Sequence, residues 1–299
     1  MGGVGQLLNL YSRLNMNLKF LGTSAANAYP EAFCKCENCC KAREYGGKNL
    51  RKRSAALIND DLLIDLGPDI MVASQIHGIS LVNVEFCLQT HPHADHLDLS
   101  HLNSRSPGYG VVGAPCLNLY ASSATWERAD ETFRRDLSGF GLLDEEAEEE
   151  LNMKIHQVQP FEPYKVGSYR VIAMPANHAP GFGAFLYAIE SNHRSIFYGT
   201  DTAELFDDTW RAFCEYKLKF DIIVFDHTYG PNESGSDHLS VHQVVEHTKR
   251  MKVEGILKEN GRVFATHISH EGNPVHAELE RFAERNGYEV AYDGLVVTA

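Results

Sequence analysis

The chain lacks any long hydrophobic run: no apolar stretch approaches the ~18 residues a helical membrane span needs. Its amino end offers only the short, interrupted Gln6-Leu7-Leu8-Asn9-Leu10, which does not read as a signal peptide. A cytoplasmic setting without membrane contact is therefore expected. Positive charge is scarce, since 27 Lys+Arg stand against 40 Asp+Glu for a formal −13. Such a chain has no general attraction for polyanions, so a broad nucleic-acid surface is disfavoured. A small phosphate substrate stays compatible, because bound cations dominate a local field. No linker, low-complexity segment or clear repeat interrupts the 299 residues. The reading is one domain, 1–299, with 1–16 as a tail. The Gly-rich stretch 107–113 lacks the Gly-Lys-Ser/Thr of a phosphate loop. Seven cysteines, four of them between Cys34 and Cys40, suit metal ligation in a reducing compartment better than a disulfide framework.

What is present concentrates at Thr90-His91-Pro92-His93-Ala94-Asp95-His96. Four metal-competent side chains follow the apolar run 84–88, which reads as a buried strand. In extended backbone, residues two apart point the same way, so His91 and His93 can share one cation. Asp95 and His96, where the chain bends, can face a second. Imidazoles and carboxylates suit zinc, manganese or iron. The same pattern, a β-rich run followed by His or Asp, recurs at His178, Asp201 and His267. If these strands share an orientation, their carboxyl ends gather the residues at one edge. One cation would then take His91, His93 and His178, and the other Asp95, His96 and His267. Asp201, with two carboxylate oxygens, would bridge them. Asp65, before Gly67-Pro68, is a candidate acceptor for a ligand imidazole.

Elsewhere the signals are α/β. The segments 54–59 and 62–65 read as a hairpin turning at Asn59-Asp60. Strands are expected over 115–120, 169–173, 184–189, 194–198, 221–225 and 261–265. Helices are expected over 124–137, over 274–285, and from a Ser240 cap through 250. The acidic run 144–150 reads as solvated, as does a basic face of Lys41, Arg43, Lys48, Arg51, Lys52 and Arg53. Cys34-x-Cys36-x-x-Cys39, in the loop 34–39, is three ligands of a structural zinc site whose fourth must come from elsewhere.

His-x-His-x-Asp-His at 91–96, followed in order by His178, Asp201 and His267, resembles the metallo-β-lactamase superfamily. The resemblance implies a four-layer αββα sandwich with a dinuclear site between its halves. It also implies the hydrolase and phosphodiesterase form, marked by Asp201. Leu21-Gly22-Thr23, the cysteine cluster and Thr266-His267-Ile268-Ser269-His270 are similar to the PhnP family of phosphodiesterases of the carbon–phosphorus lyase pathway. That similarity implies a structural zinc on Cys34, Cys36, Cys39 and His270. It implies two active-site divalent metals, zinc or manganese with iron also accepted. His238 would protonate the leaving oxygen or bind phosphate, and Asp95 would be both ligand and catalytic residue. His227 is the weaker candidate, a supporting residue beside the centre. The stretches 97–155 and Asp226-His227-Thr228-Tyr229 depart from the family pattern. The expected substrate is a small phosphodiester, by resemblance a cyclic ribose phosphate, and a homodimer is expected on the same ground.

The implied chemistry follows from charge. Two cations roughly 3.5–4 Å apart neutralise phosphate oxygens and acidify a shared water, whose hydroxide attacks phosphorus in line. Three alternatives compete. A thioester or lactone hydrolase of the glyoxalase type would use the same seven ligands. An RNA-processing nuclease is disfavoured by the acidic charge. A zinc-stabilised sensor module is disfavoured because no ligand is missing.

Overall fold

In the computed structural model, which describes residues 15–137, 139–231 and 235–299, fourteen strands form two seven-stranded sheets. The first runs in the order β14 (Val296–Thr298), β1 (Asn17–Gly22), β2 (Ala55–Ile58), β3 (Leu62–Ile64), β4 (Phe86–Leu88), β5 (Leu117–Ala121), β6 (Met153–Gln157). The second runs β13 (Glu289–Val290), β12 (Leu257–Thr266), β11 (Phe220–Asp226), β10 (Arg194–Gly199), β9 (Phe185–Ser191), β8 (Tyr169–Pro175), β7 (Pro163–Val166). The expected tail lies, up to residue 14, outside the described residues. No helix among the described residues is long and apolar enough to cross a membrane.

The strand alternation creates four layers. Ala56, Ile58, Leu62 and Ile64 of the first sheet meet Ile196, Tyr198, Ile222 and Val224 of the second in one apolar layer. Their neighbours Leu57 and Leu63 face outward, onto the helices Ile70–His77 and Ser123–Asp136 through Ile70, Ala73, Trp126 and Phe133. On the other side Phe197, Ile223 and Phe225 meet Trp210 and Phe213 of helix Asp207–Glu215 and Val244 of helix Val241–Val253. Both faces of both sheets are thus covered, which is why these strands read as unbroken apolar runs. This is the αββα order that the family resemblance implied.

Strand direction decides where the site falls. β3, β4, β5 and β6 are mutually parallel, and so are β10, β11, β12 and β13. β9 is antiparallel to both β8 and β10, so β8 runs with β10. Within the second sheet the condition set by the sequence is therefore met: β8, β10 and β12 deliver His178, Asp201 and His267 from their carboxyl ends, and β4 of the first sheet delivers His91 from its own. The hairpin turns at Asn59, which takes the left-handed conformation (φ 51°). Ser240 and Gln243 form a capping box that starts helix Val241–Val253.

The basic stretch divides: Arg43 and Lys48 are exposed, whereas Arg51, Lys52 and Arg53 are not a solvated face. Arg51 is buried, donating to Thr23 Oγ1 (2.8 Å), the Ala291 carbonyl (2.5 Å) and His276 Nδ1 (2.8 Å). Lys52 pairs with the buried Asp293, and Arg53 grips Asp69 through two nitrogens (2.8 and 2.7 Å). These cations tie distant segments together, because each meets a partner that the local charge pattern does not reveal. Lys41 pairs with Glu37 one helical turn away, as a surface residue does.

Candidate metal centre

Two groups of ring nitrogens and carboxylates converge where the strands end. His91 Nε2 lies 2.8 Å from His93 Nδ1, which lies 3.2 Å from His178 Nε2. Ligand nitrogens on one tetrahedral zinc would stand roughly 3.3 Å apart, so these spacings suit a shared cation. In the second group His96 Nε2 is 3.2 Å from Asp95 Oδ2, and His267 Nε2 is 3.7 Å from the same oxygen. Asp201 stands between the groups. Its Oδ2 is 3.1 Å from His96 Nε2 and 3.6 Å from His91 Nε2, while its Oδ1 is 3.0 Å from His267 Nε2.

Two buried carboxylates behind these rings fix their orientation. Asp65 Oδ1 accepts the Thr90 amide (2.7 Å), the Thr90 hydroxyl (2.8 Å) and Gln89 Nε2 (3.0 Å), and Asp65 Oδ2 accepts His96 Nδ1 (2.6 Å). Having donated to Asp65, the Thr90 hydroxyl accepts from His91 Nδ1 at 3.0 Å. In the other sheet Asp226 Oδ1 accepts the Thr228 amide (2.9 Å) and hydroxyl (2.8 Å), and that hydroxyl accepts from His267 Nδ1 at 2.8 Å. Asp226 Oδ2 accepts His238 Nδ1 at 2.7 Å. This network assigns the proton to Nδ1 of His91, His96 and His267 and turns each Nε2 lone pair toward the centre. Asp65 and His267 both sit in left-handed backbone (φ 66° and 58°), which turns the chain sharply at the strand ends.

Charge makes the same point. Burial would neutralise Asp201, yet the His267 and His96 imidazoles hold its carboxyl well below the usual range. Burial likewise opposes the charge on His267, but Asp201 and Asp95 raise its pKa to about 10. Burial and the neighbouring His96 push His91 down, so it stays neutral. The second group thus gathers carboxylates against imidazoles, and a cation bound there competes with protons for the Nε2 positions. Asp201 Oδ1 is buried and accepts no well-formed hydrogen bond, which is the state of an oxygen reserved for a cation. The donor set and its geometry fit divalent metal ions.

A second constellation lies one turn away. Cys34 Sγ and Cys36 Sγ stand 3.7 and 3.8 Å from His270 Nδ1, and Cys39 completes the group. Sulfur and nitrogen on one tetrahedral zinc are separated by roughly 3.6 Å. Cys36 also begins helix Glu37–Tyr45, its sulfur accepting the Cys39 amide at 3.4 Å. Burial pushes the Cys39 thiol up to about 12, so metal binding there releases a proton. His270, suggested only by resemblance, thus stands beside the cysteines.

The structure brings together all seven residues that the sequence nominated around the centre, with Asp65 behind them. His238 joins them: its ring stacks on His267 (centroids 5.2 Å, 19°) and lies 4.7 Å from His178. His227 does not. Its Nε2 meets the Tyr288 hydroxyl at 3.1 Å, and burial lowers its pKa to about 4. The side chain supporting the centre at this point is its neighbour Asp226, missed in the sequence along with Thr90 and Thr228. The signal was available, because Asp226 ends a strand just as Asp65 does. A pocket of about 280 Å³ opens over the centre, walled by Asn27, Tyr229, Asp237, Ser269 and Glu271 and floored by the candidate ligands His93, Asp95, His178, Asp201 and His267 and by His238.

A family model described as the beta-lactamase superfamily domain matches residues 61–268. Among solved structures, a diphosphatase from the PhnP family superposes with a TM-score of 0.72 at 22% identity, covering 95% of this chain and 97% of that one. Zinc-bound PqqB from Methylobacterium extorquens gives 0.67 at 18% identity, with 94% and 99% covered. The short form of human tRNase Z gives 0.63 at 16%, with 94% and 98% covered. No relative is matched among curated protein sequences.

Proposed function

Because this chain belongs to the beta-lactamase superfamily, we propose that this hydrolase cleaves a small phosphodiester at the centre bridged by Asp201. The observation that carries the reading is one carboxylate, Asp201, standing between two imidazole groups, with a further carboxylate-backed imidazole, His238, beside it. Divalent cations held by His91, His93 and His178 and by Asp95, His96 and His267 supply, when bound, neutralisation of the phosphate oxygens and acidification of water.

The chain's own groups do the rest. Asp226 accepts from Nδ1 of His238 and, against burial, raises its pKa, which favours the protonated ring. That proton can pass to the departing alkoxide. The pocket is small, about 280 Å³, and no lysine or arginine is among the described residues lining it. Both features favour a small ester over a nucleic-acid strand. The PhnP-family neighbour, a diphosphatase, agrees with attack at phosphorus.

Purified protein should hydrolyse bis-p-nitrophenyl phosphate and leave a model thioester and a lactone unchanged, with turnover falling to background in His93→Ala. Turnover of the thioester alone would replace phosphodiester chemistry with the glyoxalase type. Phosphodiesterase activity indifferent to His93→Ala would remove the centre from the reaction.

A further inference from the structure

The turn that leaves β12 carries both kinds of candidate ligand, His267 for the centre and His270 for the cysteine group, three residues apart. Just beyond them Asn273 is completely buried. Its side-chain amide donates to the carbonyls of Thr228 (2.8 Å), Ser269 (3.0 Å) and, more weakly, His227 (3.4 Å). Its backbone carbonyl accepts from the Tyr29 hydroxyl at 3.3 Å, beside Cys39 in the small apolar cluster under the cysteine loop. The two loops touch with no space between them. Gly230 N donates to the Glu271 carbonyl (3.2 Å), and a Cβ on Gly230 would stand 2.0 Å from the Gly272 oxygen. Only glycine permits that approach.

What Asn273 holds is the segment that orients the centre. Thr228, whose carbonyl it grips, presents the hydroxyl that accepts from His267 Nδ1 and donates to Asp226. A displacement of the 267–273 turn thus moves His267 directly and its hydrogen-bond partner indirectly. A buried, hydrogen-bonded lock of this kind transmits a shift rather than absorbing it. We infer that Asn273 is a positioning residue through which the cysteine group sets the affinity of the centre for its cations. This inference does not depend on which bond the centre cleaves, so phosphodiester turnover tests neither its success nor its failure.

The decisive variant is Asn273→Asp, which keeps the side chain's shape and removes both N–H donors. With folding verified by circular dichroism and zinc on the cysteine group verified by elemental analysis, manganese affinity at the centre should fall 10- to 100-fold by titration calorimetry. Affinity within twofold of the unmodified protein overturns the inference. Should that variant not fold, the unmodified chain supplies the measurement, because coupling between sites is reciprocal. Cobalt binding at the cysteine group, followed by its thiolate charge-transfer band, should tighten when the centre is saturated with manganese. Identical cobalt curves with and without manganese would refute it.

Discussion

Asp65 and Asp226 stand at the ends of β3 and β11, one in each sheet, and make nearly the same bonds. Each accepts an amide and a hydroxyl from a threonine, and each threonine accepts from a candidate ligand imidazole, His91 or His267. Each carboxylate also binds Nδ1 of a further imidazole, His96 or His238. There the halves diverge. His96 is sealed, with its Nε2 3.1 Å from Asp201, whereas His238 keeps 12% of its side chain exposed and lines the pocket. One hydrogen-bond arrangement therefore does two jobs. Buried among candidate ligands it fixes a ring's tautomer, and facing the pocket it suits the proposed role of holding a proton ready.

The largest expected effect breaks the pair on the pocket side. His238→Ala should lower phosphodiester turnover by about 10²- to 10⁴-fold, the usual contribution of a general acid, and leave cation content unchanged. Loss of the cations in this variant would make His238 a ligand like His96 and erase the distinction. On the sealed side, Asp65→Asn places an amide against His96 Nδ1, which reverses the tautomer and points an N–H at the cation. Affinity at the centre should fall 10- to 100-fold. Asp226→Asn should chiefly reduce turnover, since the Thr228 hydroxyl can still donate to the new amide's oxygen. Equal losses of cation affinity in both variants would show the two halves to be functionally alike. Removing one hydroxyl is milder. Thr90→Val and Thr228→Val should each weaken cation binding by about 1 kcal/mol, or roughly fivefold, read by the same titration.

These two modules were unequally visible in the sequence. His91, His93, Asp95 and His96 are legible because their spacing alone puts them on one turn. His178, Asp201 and His267 needed only the assumption that their strands run together. The αββα layering was legible through the resemblance alone, and the apolar run 84–88 marked only one buried strand of it. Asp226 was passed over for His227, because a histidine looks more reactive and the deciding bond, to His238, depends on how the chain folds back. Arg51 was misread for a related reason. Its partner His276 is 225 residues away, and nothing local distinguishes a buried cation from a solvated one.

His276 also supplies the smallest test, since it is a buried imidazole with a cation at its Nδ1, where His96 and His238 have a carboxylate, and with Glu280 3.3 Å from its Nε2. Arg51 donates to its Nδ1, and burial together with that guanidinium lowers its pKa to about 4. The sign is opposite to that of His238. A histidine whose folded pKa is depressed takes up its proton more readily when unfolded, so its contribution to stability is intact above about pH 6.5 and declines toward pH 4. His276→Gln keeps an acceptor for Arg51 and removes the titration. Urea midpoints for both proteins, stripped of metal and measured at pH 7.5 and 4.5, should therefore show the variant's deficit narrowing in acid. Parallel declines would mean that the charge behind an imidazole does not decide its protonation in this fold, and a proton on His238 would then need a cause other than Asp226.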